Sequence, residues 1–277
     1  MAKRKLEGRR ALVTGSSSGI GAALARELAR HGAHLVLVAR REERLQALAE
    51  ELRAAHGVEV AVHAADLLDA EARAGLFAAT EGAGVAIDVL VNNAGLGSYE
   101  AFLDSSWEAL ERILELNVRA LTHLTRLFVP AMVARGRGNV MNIASTGAYM
   151  SCPDFAVYTA SKVYVRNLTE ALDFELKGTG VRALAICPGG TYTEFLDHAG
   201  QTLKAGSSLA MMSAERCARI SVKKMLRGRR TVIVGWLNVL SMFWMRFLPR
   251  CAIPWVANFL MRSGVEKSAP RLPTAKA

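Results

Sequence analysis

Short apolar runs alternate with longer amphipathic segments along most of this chain, and this alternation constrains the fold more than any other feature of the sequence. Several runs are apolar at every position, as expected of strands covered on both faces of a parallel sheet. The intervening segments have helical spacing, with Leu24 and Leu28 on one stripe and Leu45, Leu48 and Leu52 on the next. The predicted strands are Ala11–Thr14, His34–Ala39, Val58–Ala64, Val89–Asn92, Asn139–Ile143, Arg182–Cys187 and Thr231–Val234. The pattern predicts an α/β fold, with one doubly wound domain, a seven-stranded parallel sheet and right-handed crossovers.

The turn after the first predicted strand is rich in glycine and serine, with the sequence Thr14-Gly15-Ser16-Ser17-Ser18-Gly19-Ile20-Gly21. Gly15 permits a sharp turn, Gly19 lets the backbone approach a phosphate, and Gly21 allows close packing of helix on sheet. The helix that follows presents free N–H groups and the positive end of its dipole to an anion. The turn therefore predicts a dinucleotide site, although an ordinary strand-to-helix connection has similar composition.

Two arginines follow the second predicted strand, where NAD-binding sheets usually carry an acid that accepts from the ribose 2′-hydroxyl. Guanidinium groups match a 2′-phosphate, so Arg40 and Arg41 predict NADP(H) rather than NAD(H). The alternative is that both are solvated charges beside the next helix. Asp66, after the third strand, is expected against the adenine ring or as an N-cap.

A serine, a tyrosine and a lysine with helical spacing indicate proton-transfer chemistry. Ser145 follows the fifth predicted strand, and Tyr158 and Lys162 are four residues apart, so both point from one face of a helix. A neighbouring ammonium is expected to lower the pKa of the phenol toward neutrality, which suits proton exchange with an alcohol oxygen. The alternative is a pair of surface residues on a helix.

Further motifs occur in a fixed order along the chain. Asn92-Asn93-Ala94-Gly95, Asn117 and Pro188-Gly189 join the glycine-rich turn and the Ser145, Tyr158, Lys162 set. In this order they resemble the short-chain dehydrogenase/reductase family, a Rossmann-fold family with TGxxxGIG and YxxxK motifs. The resemblance covers about residues 6–235.

The resemblance implies a role for each catalytic residue. Tyr158 is expected to act as the acid in reduction and the base in oxidation, and Ser145 to orient the carbonyl. Lys162 is expected to bind the nicotinamide ribose, and Asn117 to hold a water that relays protons. The remaining residues that the resemblance places around the cofactor are Asn93, Ala94, Gly95, Pro188, Gly189 and Thr193. Thr191 stands where the family usually has an aliphatic residue.

The pocket-side residues predict a hydrophobic carbonyl or alcohol substrate that is lipid-like, acyl or steroid-like. The candidates for substrate contact are Tyr99, Tyr149, Met150 and Phe195, although some are expected only to fill the core. A segment of small residues at about 190–212 is predicted to form a mobile lid. A 3-oxoacyl-carrier-protein reductase is an alternative enzyme. No metal site is expected, because the four cysteines form no CxxC or Cys/His pair.

The C-terminal section carries the excess positive charge of the chain. Residues 201–277 contain 14 Lys and Arg against 2 Asp and Glu, together with three of the four tryptophans. The apolar stretches in residues 236–263 are too short to cross a bilayer, and residues 264–277 are expected to be a flexible tail. Three alternatives remain for this extension: packing on the body or a sister subunit, peripheral contact with an anionic membrane, or docking to an acidic carrier protein.

These features also set expectations for location and assembly. The basic start lacks an apolar signal segment, which favours a cytoplasmic protein, with the inner face of a membrane as an alternative. The resemblance implies a homodimer or homotetramer through the helices that hold Asn117 and Tyr158. No nucleic-acid motif accompanies the charge. The competing class is a membrane- or carrier-docking protein whose dinucleotide site is structural or sensory.

Overall fold

The computed structural model describes residues 4–203 and 211–267. Within these residues, seven parallel strands form the central sheet. They are β1 (Arg10–Thr14), β2 (His34–Ala39), β3 (Val60–Ala64), β4 (Val89–Asn92), β5 (Gly138–Ile143), β6 (Val181–Pro188) and β10 (Thr231–Val234). Four short strands of the described residues lie outside it: β7 (Thr191–Tyr192), β8 (Gln201–Leu203), β9 (Met212–Ser213) and β11 (Val265–Lys267). The seven-stranded parallel sheet predicted from the apolar runs is confirmed, with differences of one or two residues at strand ends.

The strand order leaves a crevice at the carboxyl ends of the central strands β1 and β4. Across the sheet the order is β10-β6-β5-β4-β1-β2-β3, so the chain builds outward from β1 in one direction and from β4 in the other. The connections after β1 and β4 therefore leave on opposite sides, and ligands of open α/β sheets bind at such a point, beyond the carboxyl ends of the strands.

Helices cover both faces of the sheet. In chain order they are α1 (Gly19–Arg30), α2 (Glu42–His56), α3 (Ala70–Ala78), α4 (Trp107–Leu114), α5 (Leu121–Ala134), α6 (Ala156–Glu175), α7 (Glu194–His198), α8 (Ala214–Met225), α9 (Trp236–Met245) and α10 (Ile253–Gly264). One core lies under α1, α2 and α8, where Leu28, Leu45 and Val222 are fully buried. A second core lies on the other face around Leu124 and Phe128 of α5. Burial of both faces explains the continuously apolar strands.

Capping residues in the connections begin and end several helices. Asp69 begins α3 by accepting from the N–H of Glu71 at 2.9 Å, and Ser106 and Ser213 begin α4 and α8 in the same way. Gly57 ends α2 with a φ of +65°, a conformation that favours glycine.

Parts of the predicted tail and of the predicted lid form regular structure. Residues 264–267, assigned to a flexible tail, complete α10 and form β11, which pairs antiparallel with β8. The predicted lid at 190–212 contains β7, α7, β8 and the start of β9, with β7 and β9 paired in parallel. Residues 204–210 of that lid and residues 268–277 of the tail lie outside the described residues.

The helices α9 and α10 form an extension with an exposed aromatic surface. Trp236, Trp244 and Trp255 are 68%, 62% and 79% exposed, and Phe247 and Phe259 are exposed beside them. Among residues 4–203 and 211–267, no helix has both the length and the apolar character needed to cross a bilayer.

Candidate active site

The glycine-rich turn between β1 and α1 adopts a conformation that its glycines make possible. Gly15 and Gly19 have φ values of +65° and +55°, where side chains are strained. A Cβ on Gly21 would stand 2.2 Å from the carbonyl oxygen of Gly15, so a larger residue cannot fit without displacing the turn. The open backbone that remains can receive a phosphate at the start of α1.

Hydrogen bonds fix this turn to the end of β4. The hydroxyl of Thr14 accepts from the N–H groups of Asn93 and Ala94 at 2.9 and 3.1 Å. In return, the amide of Asn93 donates to the carbonyl oxygens of Thr14 and Gly15 at 2.9 and 3.2 Å. The predicted residues of the two motifs therefore meet in one rigid wall of the crevice.

The arginines after β2 lie beside the glycine-rich turn. Arg41 donates to the hydroxyls of Ser17 and Ser18 at 3.1 and 2.9 Å. Arg40 is 3.9 Å from the carboxylate of Asp66, which also accepts from the N–H of Leu68. The guanidinium groups are half-exposed and line the same cavity as the turn. They are placed to meet an anion at this end of the crevice.

The serine, tyrosine and lysine come together beneath the carboxyl end of β5. Tyr158 and Lys162 project from α6 and are buried, and the ammonium lies 5.7 Å from the centre of the tyrosine ring. Lys162 donates to the carbonyl oxygen of Ile143 at 2.9 Å, and Ser145 accepts from the N–H of Gly147 at 3.0 Å. The phenol of Tyr158 stacks on Phe155 with ring centres 4.2 Å apart.

The expected lowering of the tyrosine pKa is wrong for this site. Burial raises the pKa of Tyr158 to about 12, although a hydrogen bond with Ser145 acts in the opposite direction. Burial also lowers the pKa of Lys162 to about 8, because its ammonium has lost most of its hydration. Since the lysine bonds to Ile143 rather than to the phenol, Tyr158 stays protonated at neutral pH, as a proton donor requires.

Asn117 lies in a π-helical turn, Glu115–Ala120, that joins α4 to α5. Its side-chain oxygen accepts from the N–H of Leu96, and its amide donates to the carbonyl of Leu96 and to the hydroxyl of Ser161, all within 3.0 Å. A Cβ on Gly95 would lie 3.1 Å from Asn117 and 3.4 Å from the ammonium of Lys162. The turn thus brings Asn117 close to the lysine, with its own bonds made to protein groups.

The segment after β6 closes the other side of the crevice. Pro188, Gly189 and Thr193 all line the cavity, and a Cβ on Gly19 would stand 3.0 Å from the methyl of Thr193. Asn238 of α9 packs on Gly189 so closely that a Cβ there would be 2.4 Å from its amide. The C-terminal extension therefore supports the segment that faces the catalytic residues.

One cavity of about 440 Å³ joins the glycine-rich turn, the arginines and the catalytic residues. Met150 and Phe195 line it, as do Phe155, Met261 and Val265, which the sequence did not single out. Tyr99 and Tyr149, predicted to contact substrate, lie outside its wall. Tyr99 packs edge-on against the back of Phe155 at 5.7 Å, and the ring of Tyr149 lies under the guanidinium of Arg166 at 4.4 Å.

A family model described as short chain dehydrogenase matches residues 9–204. The chain belongs to the short-chain dehydrogenase family. It is an oxidoreductase that acts on CH–OH and C=O groups.

Two curated relatives illustrate the range of this similarity. The chain is 40% identical over 195 residues to a glycine betaine reductase (ATRR) of Emericella nidulans, a match that covers 70% of this chain and 15% of that protein. It is 32% identical over 232 residues to the ketoacyl reductase HetN of a Nostoc species, covering 83% of this chain and 79% of that protein.

Solved structures share the fold over nearly the whole chain. A short-chain dehydrogenase from Sphingobium yanoikuyae in complex with NADPH has a TM-score of 0.77 and 31% identity, covering 87% of this chain and 97% of that one. A 7β-hydroxysteroid dehydrogenase has a TM-score of 0.82 and 30% identity, covering 93% and 99%. Similar structures hold NADPH, NADP or NAD, so the family uses nicotinamide dinucleotides.

The residues of the short-chain dehydrogenase crevice fit such a dinucleotide. The turn has no side chain where Gly15, Gly19 and Gly21 approach their neighbours, and Arg40 and Arg41 line the cavity beside it. Sequence reasoning missed Glu194, whose carboxylate bonds to Arg41 across the crevice at 2.9 Å. The sequence does not indicate this ion pair, because Arg41 and Glu194 are 153 residues apart and neither belongs to a motif that links them.

Proposed function

We propose that this protein is an NADP(H)-dependent reductase that converts a hydrophobic ketone or aldehyde to the alcohol, or catalyses the reverse reaction. The observation that carries the proposal is the single cavity joining a glycine cradle and two arginines to the buried Tyr158. When bound, the dinucleotide would supply the hydride.

The chain's own residues account for the movement of the proton. Tyr158, with a pKa raised to about 12 by burial, holds its proton at neutral pH and donates it to the developing alkoxide. The hydroxyl of Ser145 orients and stabilises the same oxygen. Lys162 and Asn117 lie behind the phenol, where the ammonium would stabilise the phenolate that remains after each proton transfer until a proton returns from solvent.

The cofactor preference rests on the cations that follow β2. Arg40 and Arg41 would hold the 2′-phosphate, with Ser17 and Ser18 adding hydroxyl donors. Gly15 and Gly19 would pass beside the pyrophosphate, and Thr193 would face the carboxamide. The strand β2 contains no acid, and Asp66, which follows β3, lies 3.9 Å from Arg40.

The hydrophobic character of the substrate is supported by the cavity wall near Tyr158. Met150, Phe155, Phe195 and Met261 line the cavity and pack in one apolar cluster with Tyr158. Apolar walls of this kind favour an alkyl, aryl or ring-system substrate, and an acyl thioester is one member of that class.

The test is oxidation of NADPH, followed at 340 nm, with fatty, steroid, aryl and 3-oxoacyl thioester carbonyls. The wild type should turn over at least one hydrophobic class. Tyr158→Phe, which keeps the ring stack and removes the donor, should lower kcat by about 10²- to 10⁴-fold while binding NADPH normally. Wild-type protein that leaves NADPH unchanged with the whole panel, or an undiminished Tyr158→Phe rate, refutes the proposal.

A second candidate function is peripheral contact with the cytoplasmic face of an anionic membrane. It is favoured by the exposed tryptophans of α9 and α10 and by the absence of any acidic residue between Arg216 and Val265. Vesicles containing phosphatidylserine should pellet the protein at low salt, and Trp255→Ser should weaken this. Trp107→Ser, at an exposed tryptophan of α4 outside the extension, is the control. Equal recovery with neutral vesicles contradicts the candidate.

We also propose a homodimer or homotetramer. Exposed apolar side chains on α4 and α6, among them Trp107, Leu114 and Phe174, support assembly through the helices next to the active site. Light scattering during gel filtration should give a mass of at least twice 29.9 kDa.

A further inference from the structure

Glu194 connects two sides of the crevice that the fold brings together from distant parts of the sequence. It is the first residue of α7, directly after Thr193. One carboxylate oxygen accepts from Arg41 at 2.9 Å, and the other accepts from Arg44 in a short hydrogen bond. Both arginines lie at the start of α2, beyond the glycine-rich turn.

The ion-pair bridge of Glu194 with Arg41 and Arg44 adjoins the turn that is expected to hold the pyrophosphate. Arg41 donates to Ser17 and Ser18 as well as to Glu194, so one guanidinium joins the turn, α2 and α7. Below it, Thr193 lies against Gly19 closely enough that a Cβ on the glycine would be 3.0 Å from its methyl. Glu194, Arg41 and Ser18 all belong to the wall of the main cavity.

The charges in the bridge are permanent at neutral pH. Burial disfavours the ionised form of Glu194, but hydrogen bonds from Arg44 and Arg41 outweigh it and lower the pKa to about 2. The exposed side of the bridge faces solvent, since the three side chains are between a third and half exposed. Its strength should therefore depend on salt.

We propose that Glu194 is a positioning residue that clasps the bound dinucleotide by holding Arg41 and Arg44 across the crevice, and that opening of this clasp limits cofactor release. The proposal rests on the proposed function, because it assumes that a nicotinamide dinucleotide occupies this crevice. A clasp over the pyrophosphate acts on NADPH and NADH alike. A carboxylate that merely competed with the 2′-phosphate for Arg41 would weaken NADPH alone.

The experiment measures dissociation rates of NADPH and NADH by stopped-flow fluorescence, with excess unlabelled NADP⁺ as the displacing ligand. Glu194→Gln should speed release of both cofactors about five- to tenfold at low salt, as expected when two half-exposed ion pairs are removed together. The increase should shrink toward the wild-type rate at about 0.5 M salt. Glu43→Gln removes the same charge from an exposed neighbour of Arg44 and should leave the rates unchanged.

A double variant tests whether Glu194 and Arg44 act through one ion-pair bridge or only through the net charge of the crevice. Arg44→Gln alone should also speed release, and Glu194→Gln combined with Arg44→Gln should add little to either single change. Unchanged or slower release from Glu194→Gln, an effect confined to NADPH, or full additivity overturns the clasp. Wild-type protein that binds neither cofactor overturns the proposed function as well, so the two failures are distinguishable.

Discussion

The ammonium of Lys162 is buried beneath the crevice, and its stability cost can be worked out from its surroundings. Burial lowers its pKa from the ordinary 10.5 to about 8, although it donates to the carbonyl of Ile143. A difference of one in pKa corresponds to about 1.4 kcal/mol, so a difference of about 2.5 lowers the free energy of unfolding by about 3 kcal/mol. The active site therefore keeps a charge that destabilises the protein around it.

The pH dependence of this cost follows from the direction of the shift. Below pH 8 the lysine is protonated in both the folded and the unfolded protein, and the full penalty is present. Between pH 8 and 10.5 the folded protein has released the proton while the unfolded chain still binds it, so the penalty declines with rising pH. At pH 10 it should be about 1 kcal/mol or less.

Lys162→Met keeps the length of the side chain and removes the charge. We expect the variant to unfold at a higher urea concentration than the wild type at pH 7, with a gain of about 2–3 kcal/mol, and to lose nearly all reductase activity. Urea titrations at pH 7 and pH 10, without cofactor, measure the gain and its decline. Lys223→Met, at an exposed lysine of α8, should change stability by less than about 0.5 kcal/mol.

Two results would refute this reasoning. A Lys162→Met protein less stable than the wild type at pH 7 would mean that the bond to Ile143 outweighs the burial of the charge. A gain of equal size at pH 7 and pH 10 would mean that the stabilisation comes from added apolar surface, not from removal of an ammonium.

Other changes test the crevice and its supports. Gly21→Ala should abolish NADPH binding, because the added Cβ would stand 2.2 Å from the carbonyl oxygen of Gly15. Fluorescence titration measures the binding, and a normal affinity would show that the turn tolerates a side chain at residue 21. Arg40→Glu should raise the Kd for NADPH at least about tenfold more than that for NADH, and equal losses would show that Arg40 does not contact the 2′-phosphate. Asp173→Asn should lower the free energy of unfolding by about 2 kcal/mol, since the buried carboxylate of Asp173 bonds to Arg182 and Arg230 at 2.8 and 2.9 Å. Urea titrations measure this loss, and an unchanged unfolding midpoint would contradict the prediction.

The sheet was predictable because its strands are defined by local apolar runs. Thr231–Val234 has the same bounds in the sequence prediction and in the structure, although it pairs with β6 more than forty residues earlier. The pairing of Val265–Lys267 with Gln201–Leu203 was not predictable. Each strand has three residues, and such short segments carry no periodicity that identifies their partner.

The residues of the site were predictable by motif, but their chemistry depends on packing. The spacing of Tyr158 and Lys162 places them on one helix face, and it gives no measure of burial. Burial of both side chains, to which the stack of Phe155 on Tyr158 contributes, decides the direction of both pKa shifts. The ion pair of Arg230 with the buried Asp173, at 2.9 Å, likewise has no signal in the sequence.

The pairing of β8 with β11 brings the C-terminal part of the chain to the cavity, and this affects how the substrate specificity of the enzyme can evolve. Met211, Met261 and Val265 line the cavity from a part of the chain that follows the region matched by the family model, which ends at residue 204. The proton-donating residues and the glycine cradle all precede that point. Recombination that exchanges the last quarter of the gene would therefore change the residues that line the substrate side of the cavity and keep the residues that carry out the reaction.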